Sequence, residues 1–376
     1  MSLRYTGAWL QDGAFNPLVA PTGTTSYSLY SWGDGSFGAL GLGSTANRSS
    51  PSQVGSLTNW LSIAGGGDSA VSTKVDGTIW TWGYAPYGLG LGNTTTYSSP
   101  KQIGALTNWL KVSCGYFFMA SIKTDGTLWT AGQNGSGQLG QGNVTNQSSP
   151  VQVGALTAWS SLSCANYSVL AIKTDGTLWG WGNNGSGQLG IGTSVSISSP
   201  QQVGALTNWK VVACGSSHTV AIKTDGTIWS WGNNGQGALG LGNTTYYSSP
   251  KQIGALTNWL SVSCGAYHTL SIKTDGTLWT WGYNQAGQLG TGNLTYRSSP
   301  VQVGALTTWS KVSANNYCSY GILTNGTMWS WGKNNLGQLG LENTTYRSSP
   351  NQIGSSTSWG ALVSRVVNQQ FFALEI

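Results

Sequence analysis

The stretch "AIKTDGTLWGWGNNGSGQLG", residues 171 to 190, returns with small changes about every fifty residues. Seven Ser-Ser-Pro signatures end at Pro51, Pro100, Pro150, Pro200, Pro250, Pro300 and Pro350. A tryptophan closes the following loop at Trp60, Trp109, Trp159, Trp209, Trp259, Trp309 and Trp359. A period of this length means one supersecondary unit that cannot bury its apolar face alone and must stack on its copies. The 376 residues are therefore read as one repeat architecture rather than as two or three ordinary domains.

Each copy reads as strand. A short run such as "LSVSCG" precedes "YHTLSIKT", then Asp-Gly, then "TLWTWG", and β-rich runs flanking Asp-Gly are a strong hairpin signal. The glycines of "NGSGQLG" and the Ser-Ser-Pro run mark loops and leave no room for a helix beyond a turn or two. Seven four-stranded units arranged about an axis predict an all-β, seven-bladed β-propeller. Residues two apart on a strand share a face, so Trp179 and Trp181, Trp229 and Trp231, and their counterparts each offer two indoles to a neighbouring blade. Every tryptophan except Trp9 belongs to a repeat register. At the ends, "FFALEI" aligns with "FFMASI" (117–122) and stops before the hairpin turn, while "SYSLYSWG" supplies the missing "DGTLWTWG". An N-terminal strand is thus expected to complete the C-terminal blade and close the ring. Residues 27–376 form the propeller, and residues 1–26 a non-repeat segment serving as attachment or cap.

Cys114, Cys164, Cys214 and Cys264 fall at one repeat position, which suits one small buried residue used repeatedly and not a disulfide framework. Only 7% of residues are charged, and the net charge of +6 is scattered without a basic run; this argues against nucleic acid as a partner. No stretch approaches a membrane span, and the start lacks the apolar core of a signal peptide. The expected location is a virion, or otherwise the bacterial cytoplasm. Catalysis finds no candidates. Asp76, Asp125, Asp175, Asp225 and Asp275 are hairpin turn residues, the other carboxylates are dispersed, and nothing places a pair on one site. His218 and His268 share a register, but no third ligand or acidic orienter accompanies them. No metal, cofactor or catalytic residue is expected. Asn-x-Thr sites at Asn93, Asn143, Asn243, Asn293 and Asn343 are read as turn residues.

The pattern in "VVACGSSHTVAIKTDGTIWSWGNNGQGALGLG" (211–242), with Cys-Gly, His-Thr, Asp-Gly, Trp-Gly and a terminal Gly-x-Leu-Gly, resembles the regulator of chromosome condensation repeat family. The resemblance covers about residues 27–376 and implies a seven-bladed propeller whose faces bind other proteins. The family's founding member is a guanine-nucleotide exchange factor docked on chromatin, and others are a plant photoreceptor and a bacterial β-lactamase inhibitor. Uniform repeat lengths leave no elaborated wedge loop for exchange. The photoreceptor's interleaved tryptophans and arginines have no counterpart at Phe117, Tyr167, Ser217 and Tyr267.

What varies between copies marks candidate binding positions. Just before Ser-Ser-Pro stand Tyr246 and Tyr247, Tyr296 and Arg297, and Tyr346 and Arg347, residue types enriched at interaction hot spots. These six are expected to form one aromatic and cationic patch across neighbouring blades. A second candidate set, after the Cys-Gly register, is Phe118, Tyr167, Tyr267 and Tyr317, in a variable series that includes Phe371. The reading is a non-enzymatic binding or structural propeller, foremost a bacteriophage virion or bacterial surface component that presents a protein- or receptor-recognition surface. Its partner would be a protein or larger assembly held through the N-terminal segment, with a cell-surface receptor or glycan also possible. A soluble bacterial regulator or inhibitor and a multivalent lectin are the alternatives.

Overall fold

The Asp-Gly pairs beginning at Asp76, Asp125, Asp175, Asp225 and Asp275 are each the tip of a hairpin, and the hairpin sits in the middle of a four-stranded antiparallel sheet. In the computed structural model, which describes residues 27–362 and 369–376, the copy around Asp175 has strands Trp159–Cys164, Ser168–Lys173, Leu178–Gly182 and Ile197–Gln202, paired in that order. Seven such sheets are present. We call them blades A (60–102), B (109–152), C (159–202), D (209–252), E (259–302), F (309–352) and the closing blade G. First strands of successive blades touch one another around the ring, as Trp159–Cys164 does with Trp109–Cys114 and Trp209–Cys214. They line the axis, and the Ser-Ser-Pro strands lie outermost. The segment 1–26 lies outside the described residues.

Blade G is assembled from both ends of the chain: Trp359–Leu362 and Gln370–Glu375 pair with Ser28–Gly33 and Arg48–Gln53. Two N-terminal strands, not one, complete it. Their register corrects the sequence alignment of the C-terminus. Ser28 lies opposite Glu375 and Gly33 opposite Gln370, whereas Gly182 lies opposite Ser168. Gln370 therefore takes the place of Phe118, two residues away from the alignment of "FFALEI" with "FFMASI". A slip of two keeps every side chain on its face, so the apolar pattern alone does not detect it. Phe371, expected in a variable surface loop, is fully buried and stacks on Tyr320 at 3.5 Å between ring centroids.

The core lies between blades. Trp159 and Trp181 of blade C pack with Phe118, Leu128, Leu139 and Val153 of blade B, and the set recurs one blade on without a counterpart of Phe118. Each such large side chain removed from water contributes about 1.5–3 kcal/mol. The fully buried Trp231 donates from Nε1 to the Gln188 carbonyl of the preceding blade at 2.9 Å. Its indole rests on Gly190, whose φ of +74° and missing Cβ allow that approach. The five cysteines are buried free thiols, and burial pushes Cys318 up to about 12, which keeps it protonated and inert.

Candidate recognition face

Strand register divides the loops between two faces. Gly182 lies opposite both Ser168 and Ile197. The loop after Cys164 and the long loop after Gly182 therefore emerge at the same end of the blade. The Asp-Gly turns and the Leu-Thr-Asn-Trp loops emerge at the other.

The turn end is a repeated structural device. Asp175 Oδ1 accepts from the Thr177 amide at 2.9 Å and its hydroxyl at 2.6 Å, and Trp179 Nε1 donates to that hydroxyl at 2.9 Å. Hydrogen bonds from Thr177 hold the Asp175 carboxyl below its ordinary value. Lys223 places its ammonium 3.7 Å from the Trp229 ring and 5.0 Å from that of Trp209, a cation–π sandwich. Desolvation lowers its pKa, opposed by Asp225. These carboxylates are turn caps, as their positions in the sequence indicated. Leu57, Leu106, Leu156, Leu206, Leu256 and Leu306 stand exposed on this face as copies of one another.

The other face carries what is not copied. In blades E and F, Tyr283 meets Tyr296 at 4.9 Å, Tyr317 at 5.7 Å and Tyr267 at 6.3 Å, and Tyr267 meets Tyr317 at 6.4 Å. Lys333 Nζ lies 5.6 Å from the Tyr317 ring. Burial and the phenols of Tyr267 and Tyr283 raise Tyr317 above its ordinary value, and burial with Tyr283 raises Tyr296, so both remain hydroxyl donors at neutral pH. Arg297 and Arg347 open outer strands, and the Nε of each is buried without a hydrogen-bond partner. Tyr296 and Arg297 line a depression of about 350 Å³ with Ser298, Ser299, Pro300 and Val301. Tyr246 and Tyr346 are exposed. Tyr247 opens its own outer strand, with Lys251 Nζ 5.4 Å from its ring. One member of the expected patch, Tyr296, thus joins two of the second set, Tyr267 and Tyr317, through Tyr283.

A second sector spans blades G to C. Phe37 stacks on Tyr84 at 4.6 Å, Tyr84 meets Phe117 at 5.8 Å, and Tyr87 meets Phe117 at 6.0 Å. Phe117 meets Tyr116 at 4.3 Å, and Tyr116 meets Tyr167 at 5.8 Å. The loops beneath are tied blade to blade: Gly67 N donates to Tyr116 O at 3.0 Å, and Tyr116 N to Asn166 O at 2.9 Å. Rings held on a fixed backbone lose little freedom on binding.

Phe118 does not belong to either sector. It is 1% exposed and packs in the core between blades B and C; Phe117, one residue earlier and on the opposite side of the pleat, is the counterpart of Tyr167. Phe118 occupies the register of His218 and His268, both buried. His268 Nε2 bonds Ser319 Oγ at 3.0 Å, and His218 Nε2 lies 3.4 Å from Thr269 Oγ1. The histidines join blades. Burial lowers His268 to about 3. Among the described residues no three His, Cys, Asp or Glu side chains group as metal ligands, and no helix is long and apolar enough to cross a membrane. Sequence reading passed over Phe37, Tyr84, Tyr87, Tyr116 and Tyr283. The available signal was departure from the copies: Tyr84 and Tyr283 stand where other blades have Gln133, Asn183, Asn233 and Lys333.

Buried histidines inside, capped carboxylates at the exposed turns of one face and unrepeated aromatics on the other complete the propeller. The chain belongs to the regulator of chromosome condensation (RCC1) repeat family, whose model matches seven times, at residues 28–72, 76–122, 125–172, 175–222, 225–272, 275–322 and 325–365. A second model of the same repeat matches five times between residues 109 and 338. Among solved structures, Prp20p from Saccharomyces cerevisiae, described with its binding properties to Gsp1p and histones, is 20% identical with a TM-score of 0.83, over 94% of this chain and 92% of that one. Yeast RCC1 (Prp20) with Kap60 bound is 18% identical with a TM-score of 0.85, over 100% and 94%. Human WBSCR16 is 19% identical with a TM-score of 0.83, over 93% and 99%. No curated protein sequence matches the chain. At these identities the likeness shows the fold.

Proposed function

We propose that this chain is a non-enzymatic recognition propeller that binds a protein through the charged aromatic sector of blades E and F. The observation that carries the reading is the four-ring cluster of Tyr267, Tyr283, Tyr296 and Tyr317 beside Lys333. Arg297, Tyr346 and Arg347 extend it, with Tyr246 and Tyr247 on blade D. Asn, Gly and Tyr recur in these loops, residue types that antibody paratopes use for rigid contact area with adaptable hydrogen bonding. The half-buried guanidinium groups of Arg297 and Arg347 favour a partner that brings carboxylates, which arginine pairs with bidentately. Prp20p, a solved structure with this fold, is described as binding proteins. In the setting we favour, the propeller is a bacteriophage virion or bacterial surface component and residues 1–26 attach it to the larger assembly. The support for that setting is the low charge and the Gly, Ser, Thr and Asn balance. A soluble regulator of one protein partner would use the same sector.

The test compares the intact chain with Tyr296→Ser, Arg297→Ser, Tyr346→Ser and Arg347→Ser combined, as bait for proteins and purified particles from the source culture. Loss of about 2 kcal/mol or more of binding, the hot-spot threshold, is expected with folding intact, while Asn146→Ser, Gln147→Ser and Ile197→Ser combined change nothing. A partner held equally by both baits refutes the assignment.

A further inference from the structure

We propose that the other sector, formed by Phe37, Tyr84, Tyr87, Tyr116, Phe117 and Tyr167, binds a neutral oligosaccharide. Phe37 supplies the first reason. It has φ +55°, ψ +17° and 49% exposure. Among the described residues only Ala158 and Glu342 are other non-glycines with positive φ. The same register holds Tyr87, Ser136, Ser186, Gln236, Ala286 and Leu336, none of them left-handed, so the repeat does not require this conformation. A bulky side chain there costs about 1–2 kcal/mol, and one left half in solvent recovers little of it by burial. Exposed, strained side chains cluster at ligand sites. The strain holds one face of the Phe37 ring against Tyr84 and leaves the other to solvent.

Charge supplies the second reason. The loops 84–96, 115–117, 133–146, 165–167 and 183–196 contain no Asp, Glu, Lys, Arg or His, and the adjoining loops 34–47 and 66–68 add only Asp34 and Asp68. A polyanion would find no cation in these loops. What these loops offer is aromatic faces, hydroxyls and carboxamides. A pyranose presents an apolar C–H face that packs on a ring and a rim of hydroxyls that donate and accept.

The full chain is titrated calorimetrically with maltopentaose, laminaripentaose, chitopentaose and mannopentaose, and with a heparin hexasaccharide as anionic control. At least one neutral oligosaccharide binds and heparin does not. Tyr84→Ala and Phe117→Ala each weaken that binding about tenfold, as loss of one stacked ring should. Phe37→Gly weakens it without lowering the melting temperature, because glycine accepts the left-handed backbone. The combined Tyr296, Arg297, Tyr346 and Arg347 variant binds the sugar as the intact chain does, so this proposal and the protein-binding one fail separately. Binding of heparin alone, no binding of any neutral probe, or a Phe37→Gly chain that loses stability but keeps its sugar overturns the proposal.

Discussion

Gly190→Ala tests whether the blades are locked by an indole seated on bare backbone. The substitution puts a side chain at φ +74°, which costs about 1–2 kcal/mol for an L-residue. Gly204, at φ +61° with nothing within 4 Å of an added Cβ, measures that backbone cost alone when changed to Ala. At Gly190 the added Cβ would also stand 2.6 Å from Trp231 Nε1 and 2.9 Å from Cε2, so the indole must move. Movement strains its bond to the Gln188 carbonyl, 2.9 Å in the intact chain. Stranding that buried pair costs about 1–3 kcal/mol, and overpacking adds about 1–3 kcal/mol. Gly190→Ala is expected to lose about 3–8 kcal/mol in total against about 1–2 for Gly204→Ala. Urea unfolding followed by circular dichroism, with unchanged m-values, gives the comparison. Trp231→Phe in the Gly190→Ala background should recover part of the loss, a non-additive coupling between contacting residues. Equal midpoints for the two glycine variants would refute the argument.

Ring closure and pH give two further expectations. Deleting residues 1–33 removes Leu29 and Trp32, both fully buried, and the six pairings with Gln370–Glu375; the melting temperature should fall sharply, while deleting 1–22 leaves it nearly unchanged. Equal melting of the longer deletion and the intact chain defeats the closure argument. His268, held near 3 against an ordinary 6.5, is neutral in the fold and protonates more readily once unfolded. Its contribution is fully present above pH 6.5 and is lost as pH falls toward 3, at up to about 1.4 kcal/mol per pH unit. His268→Gln should flatten denaturation midpoints across that window, and an unchanged slope would show that other groups govern acid unfolding.

What could be read from sequence was what duplication had amplified. The Asp-Gly hairpins, tryptophan registers, buried cysteines and seven-fold ring are each stated several times, so an accidental match in one copy is outvoted by the rest. Registers stated once were harder. Blade G is the most divergent copy, and there a two-residue slip escaped detection because alternation has period two. Phe118 was misplaced for the complementary reason: two adjacent phenylalanines lie on opposite faces, and composition does not say which one points out.

The aromatic sectors escaped reading because their members come from different blades. Phe37, Tyr84, Tyr116 and Tyr167 are separated by about fifty residues at some steps and meet only through the curvature of the ring. In sequence each is an isolated substitution; in space they are neighbours at 4.3 to 6.0 Å with Tyr87 and Phe117. The exposed leucines of the opposite face give the contrast. They recur because the unit was copied, so their number says little about selection. The loop face departs from the copies blade by blade: aromatics with Asp34, Arg48 and Asp68 over blades G to C, Ser216, Ser217, Tyr246 and Tyr247 in blade D, then tyrosines with Arg297, Lys333, Glu342 and Arg347 over blades E and F. The two proposed ligands differ in chemistry and would engage different arcs of one ring, whereas drift on identical templates predicts that neither variant set changes binding, and the separate failure of the two sets is the measurement that decides between them.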